Sequence, residues 1–115
     1  EIGPRAFINC YALETLEIPD TVTLLGLRAF NNCTALQSVV LGKGITEIGS
    51  YQFSYCTSLK HITLKSPITA VGEYAFTECP SFEKTFCRFS KSEWTKPEVK
   101  EGNDAFESAE ISFDN

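Results

Sequence analysis

Apolar and polar residues alternate over short stretches that recur along the chain. The inward position that opens each alternation comes three residues after a leucine or phenylalanine, namely Leu13, Leu36, Leu59 and, in a weaker form, Phe82. Alternation with a period of two predicts a β-strand with one buried face. With one further alternating stretch near the end of the chain, the sequence predicts five strands: residues 15–18, 38–41, 61–64, 84–88 and 110–113.

A second pattern, Gly-x-x-Ala-Phe-x-x-Cys, separates the strands. Its glycines lie at 3, 26, 49 and 72, its phenylalanines at 7, 30, 53 and 76, and its cysteines at 10, 33, 56 and 79. Apolar residues spaced three to four apart predict a short helix or a few helical turns. Every series repeats after 23 residues, and a fixed period of this length is typical of solenoids.

Stacked repeats would place the strands side by side in one parallel sheet, with right-handed connections between them. No repeat can bury its apolar strand face without neighbours above and below. The phenylalanines would form a column, and each buried ring contributes roughly 1.5–3 kcal/mol. The predicted fold class is therefore α/β, a right-handed solenoid with about four 23-residue units in residues 1–89.

Four of the five cysteines occupy one position of the repeat. Equivalent positions in adjacent coils are about 4.8 Å apart, which is within the range that a disulfide accepts. A disulfide between coils is therefore one alternative. The other is a ladder of reduced thiols that pack inside the coils as small apolar groups. Cys87 lies outside this series, and the sequence has no cysteine cluster with zinc-ligand spacing.

The period is lost after residue 89, and residues 90–115 are predicted to form a C-terminal capping segment. Trp94 follows Val71 by 23 residues, so we expect it to lie over the fourth coil near Val71 and Phe76. The run Ser92-Glu93-Trp94 has a capping residue and an early acid, which predicts the start of a helix that Pro97 would end. Residues 102–104 predict a turn before the last strand.

The combination Ile-Gly-x-x-Ala-Phe-x-x-Cys-x-x-Leu-x-x-Ile-x-Ile-Pro resembles the BspA-like, treponemal-type leucine-rich repeat. The resemblance covers about residues 1–89, and the tail is similar to the C-terminal cap of many proteins of that family. Three departures occur. Gln52 replaces the alanine, Phe82 replaces the leucine, and Thr85 with Cys87 replaces the apolar strand pair. The last two departures weaken the register of the fourth strand.

Charge and hydropathy narrow the classes of partner. The net charge of the 115 residues is −5, of which residues 90–115 carry −4 and the repeats −1. Nucleic-acid binding needs a basic surface, so no nucleic-acid partner is expected. No apolar run approaches the roughly 20 residues that span a bilayer, so no direct membrane insertion is expected. Because the chain begins within a repeat, at Ile2-Gly3, we expect it to be the C-terminal portion of a longer protein.

Residues that carry out catalysis are not evident in the sequence. His61 is the only histidine, and a catalytic dyad needs a nucleophile and an orienting acid beside it. Ser38 and Thr63 are plausible neighbours, but hydroxyl side chains are common on such sheets. The glycines recur as turn positions and form no phosphate-binding loop. We predict no catalytic residue, no cofactor and no metal site, and an enzyme is the least favoured class.

The concave face of the sheet is the candidate binding surface. Glu17 is expected at one end of it, and three basic residues gather at the other, where Phe86 and His61 would help to hold an acidic or aromatic partner segment. The alternative is that mixed charges only keep the strand surface soluble. A slip of one residue would bury Phe86 and expose Thr85. Strand alternation assigns the following residues to this face or its edge: Thr15, Glu17, Ser38, Val40, His61, Thr63, Lys65, Lys84, Phe86 and Arg88.

Solenoids build extended surfaces that mostly bind other macromolecules, so a protein-binding module is the first interpretation. The resemblance implies a bacterial or protist protein of the cell surface or a secreted one, and it links several such proteins to adhesion. The expected partner is therefore a host or bacterial surface protein. The alternative is a structural stalk that presents another domain.

Overall fold

The computed structural model describes residues 2–3 and 6–114, and it winds them into a solenoid of parallel strands. The strands are β1 (Thr15–Glu17), β2 (Ser38–Leu41), β3 (Glu47–Ile48), β4 (His61–Leu64), β5 (Ala70–Val71), β6 (Lys84–Cys87), β7 (Glu98–Val99) and β8 (Glu110–Phe113). Five of them form one parallel sheet in the order β1-β2-β4-β6-β8. The five predicted strands are confirmed to within one residue at each end.

A second parallel sheet, in the order β3-β5-β7, was not predicted. Each of its strands has only two residues. In β3 and β5 the second residue, Ile48 or Val71, is buried and directly precedes a glycine of the repeat. Two residues are too few to produce a recognisable alternation of apolar and polar positions, so the sequence pattern did not indicate these strands.

The Gly-x-x-Ala-Phe-x-x-Cys segments fold as consecutive tight turns, and the helix predicted for them is wrong. In the second coil the Cys33 N–H donates to Phe30 O at 3.4 Å, but the Phe30 N–H donates to Gln52 O of the next coil at 3.1 Å. Arg28 and Asn32 have φ values of 59° and 62°, in the left-handed region that ends a right-handed helix. Because alternate amides bond to the neighbouring coil, the backbone cannot complete a helix.

The phenylalanines form the column that their period predicts. Ring centroids are 5.4 Å apart for Phe7–Phe30 and Phe30–Phe53, and 5.5 Å apart for Phe53–Phe76. Phe30 and Phe53 are fully buried, and they lie in one continuous core with the inward residues of the strands. The column is thus part of what holds successive coils together.

The repeat cysteines are free thiols, as the ladder interpretation predicts. The thiols of Cys33, Cys56 and Cys79 donate to the carbonyl oxygen of a phenylalanine in the preceding coil, at 3.0, 3.2 and 3.1 Å. Burial raises the pKa of each of these three thiols, that of Cys79 to about 12. Cys10, in the first coil, is only partly buried.

We expect Cys33, Cys56 and Cys79 to resist alkylation in the native protein at pH 8 and to react fully after unfolding. Since their folded pKa lies above the unfolded value of about 8.5, the unfolded chain alone loses thiol protons above that pH. Stability should therefore be unaffected by these groups below about pH 8.5 and should fall as the pH rises towards 12. Timed alkylation with mass spectrometry, and urea midpoints from neutral to alkaline pH, measure both effects. Half-buried Cys10 serves as the reactive control, and rapid native labelling of Cys33 or Cys56 would contradict burial.

Gln52 stands where the other repeats have alanine, and it is fully buried. Its side-chain amide takes the place of a backbone hydrogen bond between the second and third coils. The Gly49 N–H donates to Gln52 Oε1 at 3.0 Å, and Gln52 Nε2 donates to Gly26 O at 2.6 Å. In the fourth coil the equivalent glycine, Gly72, donates directly to Ile48 O at 2.7 Å. The amide of Gln52 is thus inserted between the second and third coils, and the second sheet begins only at β3.

The tail contains a 3₁₀ turn (Lys91–Glu93), β7, the helix α1 (Asp104–Ser108) and β8. The 3₁₀ turn is capped by Ser90, two residues before the predicted Ser92. The predicted turn at residues 102–104 contains Gly102, with a φ of 81°, and leads directly into α1. A helix of five residues is too short for its apolar period to be recognised. None of the helices in the described residues is long and apolar enough to cross a membrane.

Phe106 of α1, and not Trp94, covers the aromatic column of the fourth coil. Its ring stacks on Phe76 with centroids 5.3 Å apart, whereas Trp94 stacks on Phe89 at 6.2 Å. The predicted place of Trp94 near Val71 and Phe76 is therefore wrong.

The reason for this error lies in the length of the tail. Val99 of β7 is the partner of Val71 in the second sheet, a separation of 28 residues, where a repeat would have placed it after 23. The tail has five extra residues before this point, and they shift Trp94 out of the position that the period assigned to it. In its actual place Trp94 also contacts Phe113 edge to face at 5.8 Å.

Candidate ligand-binding face

The outward side chains of the five-stranded sheet form two rows, which we call the sheet face. The first row contains Thr15, Ser38, His61, Lys84 and Glu110, and the second contains Glu17, Val40, Thr63, Phe86 and Ser112. Parallel pairing brings the members of each row side by side because side chains alternate between the two faces of a strand. Lys65 and Arg88 follow directly after β4 and β6. The structure thus brings the ten predicted residues together on one face or at its edge.

Phe86 points outward, as the predicted register requires. It is half-buried on the sheet face, while its neighbours Thr85 and Cys87 are buried in the core. The Thr85 hydroxyl oxygen has no hydrogen-bond partner in the described residues. β6 keeps the predicted register although its inward residues are only weakly apolar. The neighbouring strands fix the buried face of the sheet with the apolar residues Val39, Ile62 and Leu64.

Lys65, Lys84 and His61 of the sheet face each lie beside an acidic side chain, so the face does not form the polarised groove that we expected. Lys65 Nζ lies 3.7 Å from Glu17 Oε2 and 3.5 Å from Asp20 Oδ1. Lys65 and Glu17 are two coils apart, and between them Gly42 follows β2 without a side chain. The long lysine side chain crosses this gap, so Glu17 and Lys65 meet and do not mark opposite ends. The Lys43 N–H, which donates to Asp20 at 2.9 Å, lowers the pKa of Asp20, and Lys65 contributes further.

The sheet face centres on a cluster around Phe86. The His61 ring contacts Phe86 edge to face with centroids 5.4 Å apart, and Lys84 Nζ lies 4.9 Å from the centre of the Phe86 ring. His61 Nε2 lies 3.2 Å from Glu83 Oε1, and Lys84 Nζ lies 3.0 Å from Glu110 Oε1. The ring is therefore held by an imidazole and a cation that are themselves held by carboxylates.

Three acidic residues of this arrangement were absent from the predicted set: Asp20, Glu83 and Glu110. Glu83 directly precedes β6, so its nearness to His61 follows from the register of β4 and β6. Glu110 lies opposite Lys84 because β8 pairs with β6 at a separation of 26 residues, which no periodicity in the sequence indicates. In the described residues, no group of three or more His, Cys, Asp or Glu side chains is placed to hold a metal ion.

Comparisons with known proteins agree with the geometry. The family model described as "BspA type Leucine rich repeat region" matches residues 1–112 in six copies. The chain is also similar to the crystal structure of a leucine rich cell surface protein from Faecalibacterium prausnitzii A2-165, with a TM-score of 0.70 and 28% sequence identity. That alignment covers 95% of this chain and 32% of the other, so the chain spans about a third of the length of this relative. No curated protein sequence matches the chain.

The family match extends past residue 89 into the tail, as far as residue 112. The parallel sheet, the 23-residue register and the position of the phenylalanine column agree with it. The chain belongs to the BspA-type leucine-rich repeat family.

Proposed function

We propose that this chain is a non-catalytic protein-binding module whose sheet face docks onto a surface protein of a host or bacterial cell. The observation that carries the proposal is the central strip Val40, Thr63 and Phe86, which is half-buried and flanked by ion pairs. Leucine-rich repeat proteins are in general binding or structural proteins and not enzymes. These features support the sheet face as the docking surface.

The arrangement of this face resembles the anatomy of protein interfaces, in which an apolar centre is surrounded by a polar rim. Lys65 with Glu17 lies on one side of the strip, and Lys84 with Glu110 lies on the other. Exposed ion pairs contribute little to folding, typically below about 1 kcal/mol, but they orient a partner through complementary charge. Phe86 has the size of an anchor residue, and aromatic side chains commonly dominate the free energy of binding.

A location at the cell surface or outside the cell is part of this proposal. It is supported by the relative from Faecalibacterium prausnitzii, which is described as a cell surface protein. Adhesion is the finer expectation, since a module that binds proteins and is displayed on a cell attaches that cell to whatever carries its partner.

Replacing Phe86 by alanine should weaken capture of the partner by about tenfold or more while leaving the fold intact. The measurement is affinity capture of biotinylated host and bacterial surface proteins on the immobilised domain, followed by titration of the captured protein. Leu27→Ala is the matched control, because Leu27 is exposed but lies outside the sheet face. Equal capture by the wild type and the Phe86 variant would exclude the sheet face as the docking surface.

A structural stalk is the second candidate, and one observation favours it. Lys65 and Lys84 on the sheet face are each already paired with an acid of the same chain, as expected for a surface that only has to stay soluble. Failure of the immobilised domain to capture any surface protein would favour the stalk.

A further inference from the structure

A further row of outward side chains, separate from the two rows of the sheet face, lies on the turns that precede the strands. Asn9, Asn32 and Tyr55 occupy the same position in three successive coils, with φ values of 60°, 62° and 61°. Equal backbone conformations make the three side chains project in the same direction, one coil apart, at intervals of about 4.8 Å. Tyr11 leans towards this row, with its hydroxyl 3.4 Å from Asn32 Nδ2. We call Asn9, Tyr11, Asn32 and Tyr55 the turn row.

Tyr55 is out of place on folding grounds. Asparagine adopts the left-handed conformation readily, whereas a bulky residue there is an outlier that costs on the order of 1 kcal/mol. Tyr55 is 51% exposed, and no aromatic ring or cation of the described residues stacks on it. The turn itself requires the left-handed backbone, because the Tyr55 N–H donates to Thr77 O of the next coil at 2.9 Å, and Glu78 shares the conformation at the equivalent position. An asparagine would meet this requirement at lower cost, so the exposed tyrosine ring is available for a ligand.

Tyr51 shows what compensation for the same strain looks like. It also has a positive φ, of 58°, but its ring stacks on Tyr74 at 5.5 Å and carries the Arg28 guanidinium at 4.2 Å from its centre. Gly102 closes the other side of Tyr74, since an added Cβ would collide with the Tyr74 ring. Tyr51 is held within a closed stack, whereas Tyr55 and Tyr11 present their rings to solvent.

The turn row has the chemistry of a carbohydrate site. Sugar rings place their C–H faces on exposed aromatic rings, and their hydroxyls bond to planar amides that both donate and accept. Tyr11 is 60% exposed, and the Asn32 amide lies between it and Tyr55. Asn32 Nδ2 donates to Asn9 Oδ1 at 2.9 Å, which orients both amides and leaves the Asn32 carbonyl oxygen and the Asn9 amino group for a ligand.

We propose that the turn row binds a neutral, extended polysaccharide that runs along the axis of the solenoid. The two tyrosines are two coils apart, about 10 Å along the axis, a distance over which an extended chain of sugars contacts both rings. None of the four side chains is charged, and Glu78 continues the row after Tyr55. An acidic polysaccharide would be repelled there and by the net charge of −5, so a neutral one is favoured. The proposal is independent of docking at the sheet face.

The test is affinity electrophoresis of the native domain in gels that contain laminarin, galactomannan, arabinoxylan or, for comparison, polygalacturonate. We expect retardation by at least one neutral polysaccharide and none by polygalacturonate. Tyr55→Asn should weaken the retardation about tenfold, as loss of an anchor ring does. The same substitution relieves the backbone strain, so the thermal midpoint should rise by roughly 2–5 °C.

Tyr51→Asn is the matched control, since it removes a tyrosine with the same backbone conformation from the closed stack. It should lower the thermal midpoint and leave the retardation unchanged. The proposal is overturned if no neutral polysaccharide retards the wild type, if polygalacturonate retards it equally, or if Tyr55→Asn binds as the wild type does. Capture of surface proteins that depends on Tyr55, without any retardation by sugars, would make the turn row a protein contact and would also overturn it.

Discussion

Replacing Phe30 by alanine should lower the free energy of unfolding by about 3–5 kcal/mol, the range for truncation of a core aromatic side chain. Phe30 is fully buried and stacks between Phe7 and Phe53, with centroids 5.4 Å away on each side. Alanine would leave a cavity between two coils, and the coils cannot close it because backbone hydrogen bonds hold their separation, such as Phe30 N–H to Gln52 O at 3.1 Å.

Urea unfolding followed by circular dichroism measures this loss. Phe86→Ala is the control for removal of a phenylalanine ring from the sheet surface, and its effect should stay below about 1 kcal/mol. A loss below about 1 kcal/mol for Phe30→Ala would mean that the column is not packed in solution. A comparable loss for both variants would show that Phe86 is a core residue and would remove it from the candidate binding face.

Replacing Asn103 by leucine should cost about 2–4 kcal/mol, because its side chain continues a hydrogen-bond ladder that the backbone of the tail does not complete. Asn103 is 1% exposed. Its Oδ1 accepts the Phe76 N–H at 3.0 Å, and its Nδ2 donates to Gly72 O at 2.8 Å and to Lys100 O at 2.9 Å. Leucine has a similar volume but offers no partner, and each buried polar group left unpaired costs about 1–3 kcal/mol.

The matched control is Asn9→Leu, which removes an asparagine that is exposed and makes one side-chain hydrogen bond to the next coil. Its effect should stay at about 1 kcal/mol, because the exposed hydrogen bond contributes little and leucine at the Asn9 φ of 60° costs on the order of 1 kcal/mol. Amide hydrogen exchange adds a local measurement, since the Phe76 N–H should lose protection in Asn103→Leu before the amides of β2 do. Equal stability of the two variants would show that Asn103 does not anchor the tail.

Much of the fold follows from local chemistry repeated at a fixed interval. The alternation at Leu16 and Ile18, and at their equivalents, determines which face of each strand is buried, and the 23-residue period then aligns the strands in parallel. The phenylalanine column and the reduced thiols follow from the same period, since equivalent residues in a solenoid become neighbours. For the same reason the sequence could predict which residues share the sheet face.

The turns were misjudged because helix and turn share a spacing of three to four residues. Hydrogen bonds to the next coil decide between them, and these bonds do not exist in an isolated repeat. The left-handed conformations of Arg28, Asn32 and Tyr51 arise in the same way. The 23-residue period aligns Asn9, Asn32 and Tyr55, but the turn conformation, which the sequence did not indicate, decides that their side chains project outward.

The sequence by itself determined the repeat, the strands, the buried columns and the residues of the sheet face, because each depends on contacts between equivalent positions. Tertiary structure alone decided what covers the fourth coil, where Phe106 takes the place assigned to Trp94. It also decided that Lys65 reaches Glu17 across Gly42, and that Lys84 meets Glu110. These contacts join residues whose separation is not one repeat, so they depend on the path of the chain and on side-chain reach, which no periodic pattern encodes.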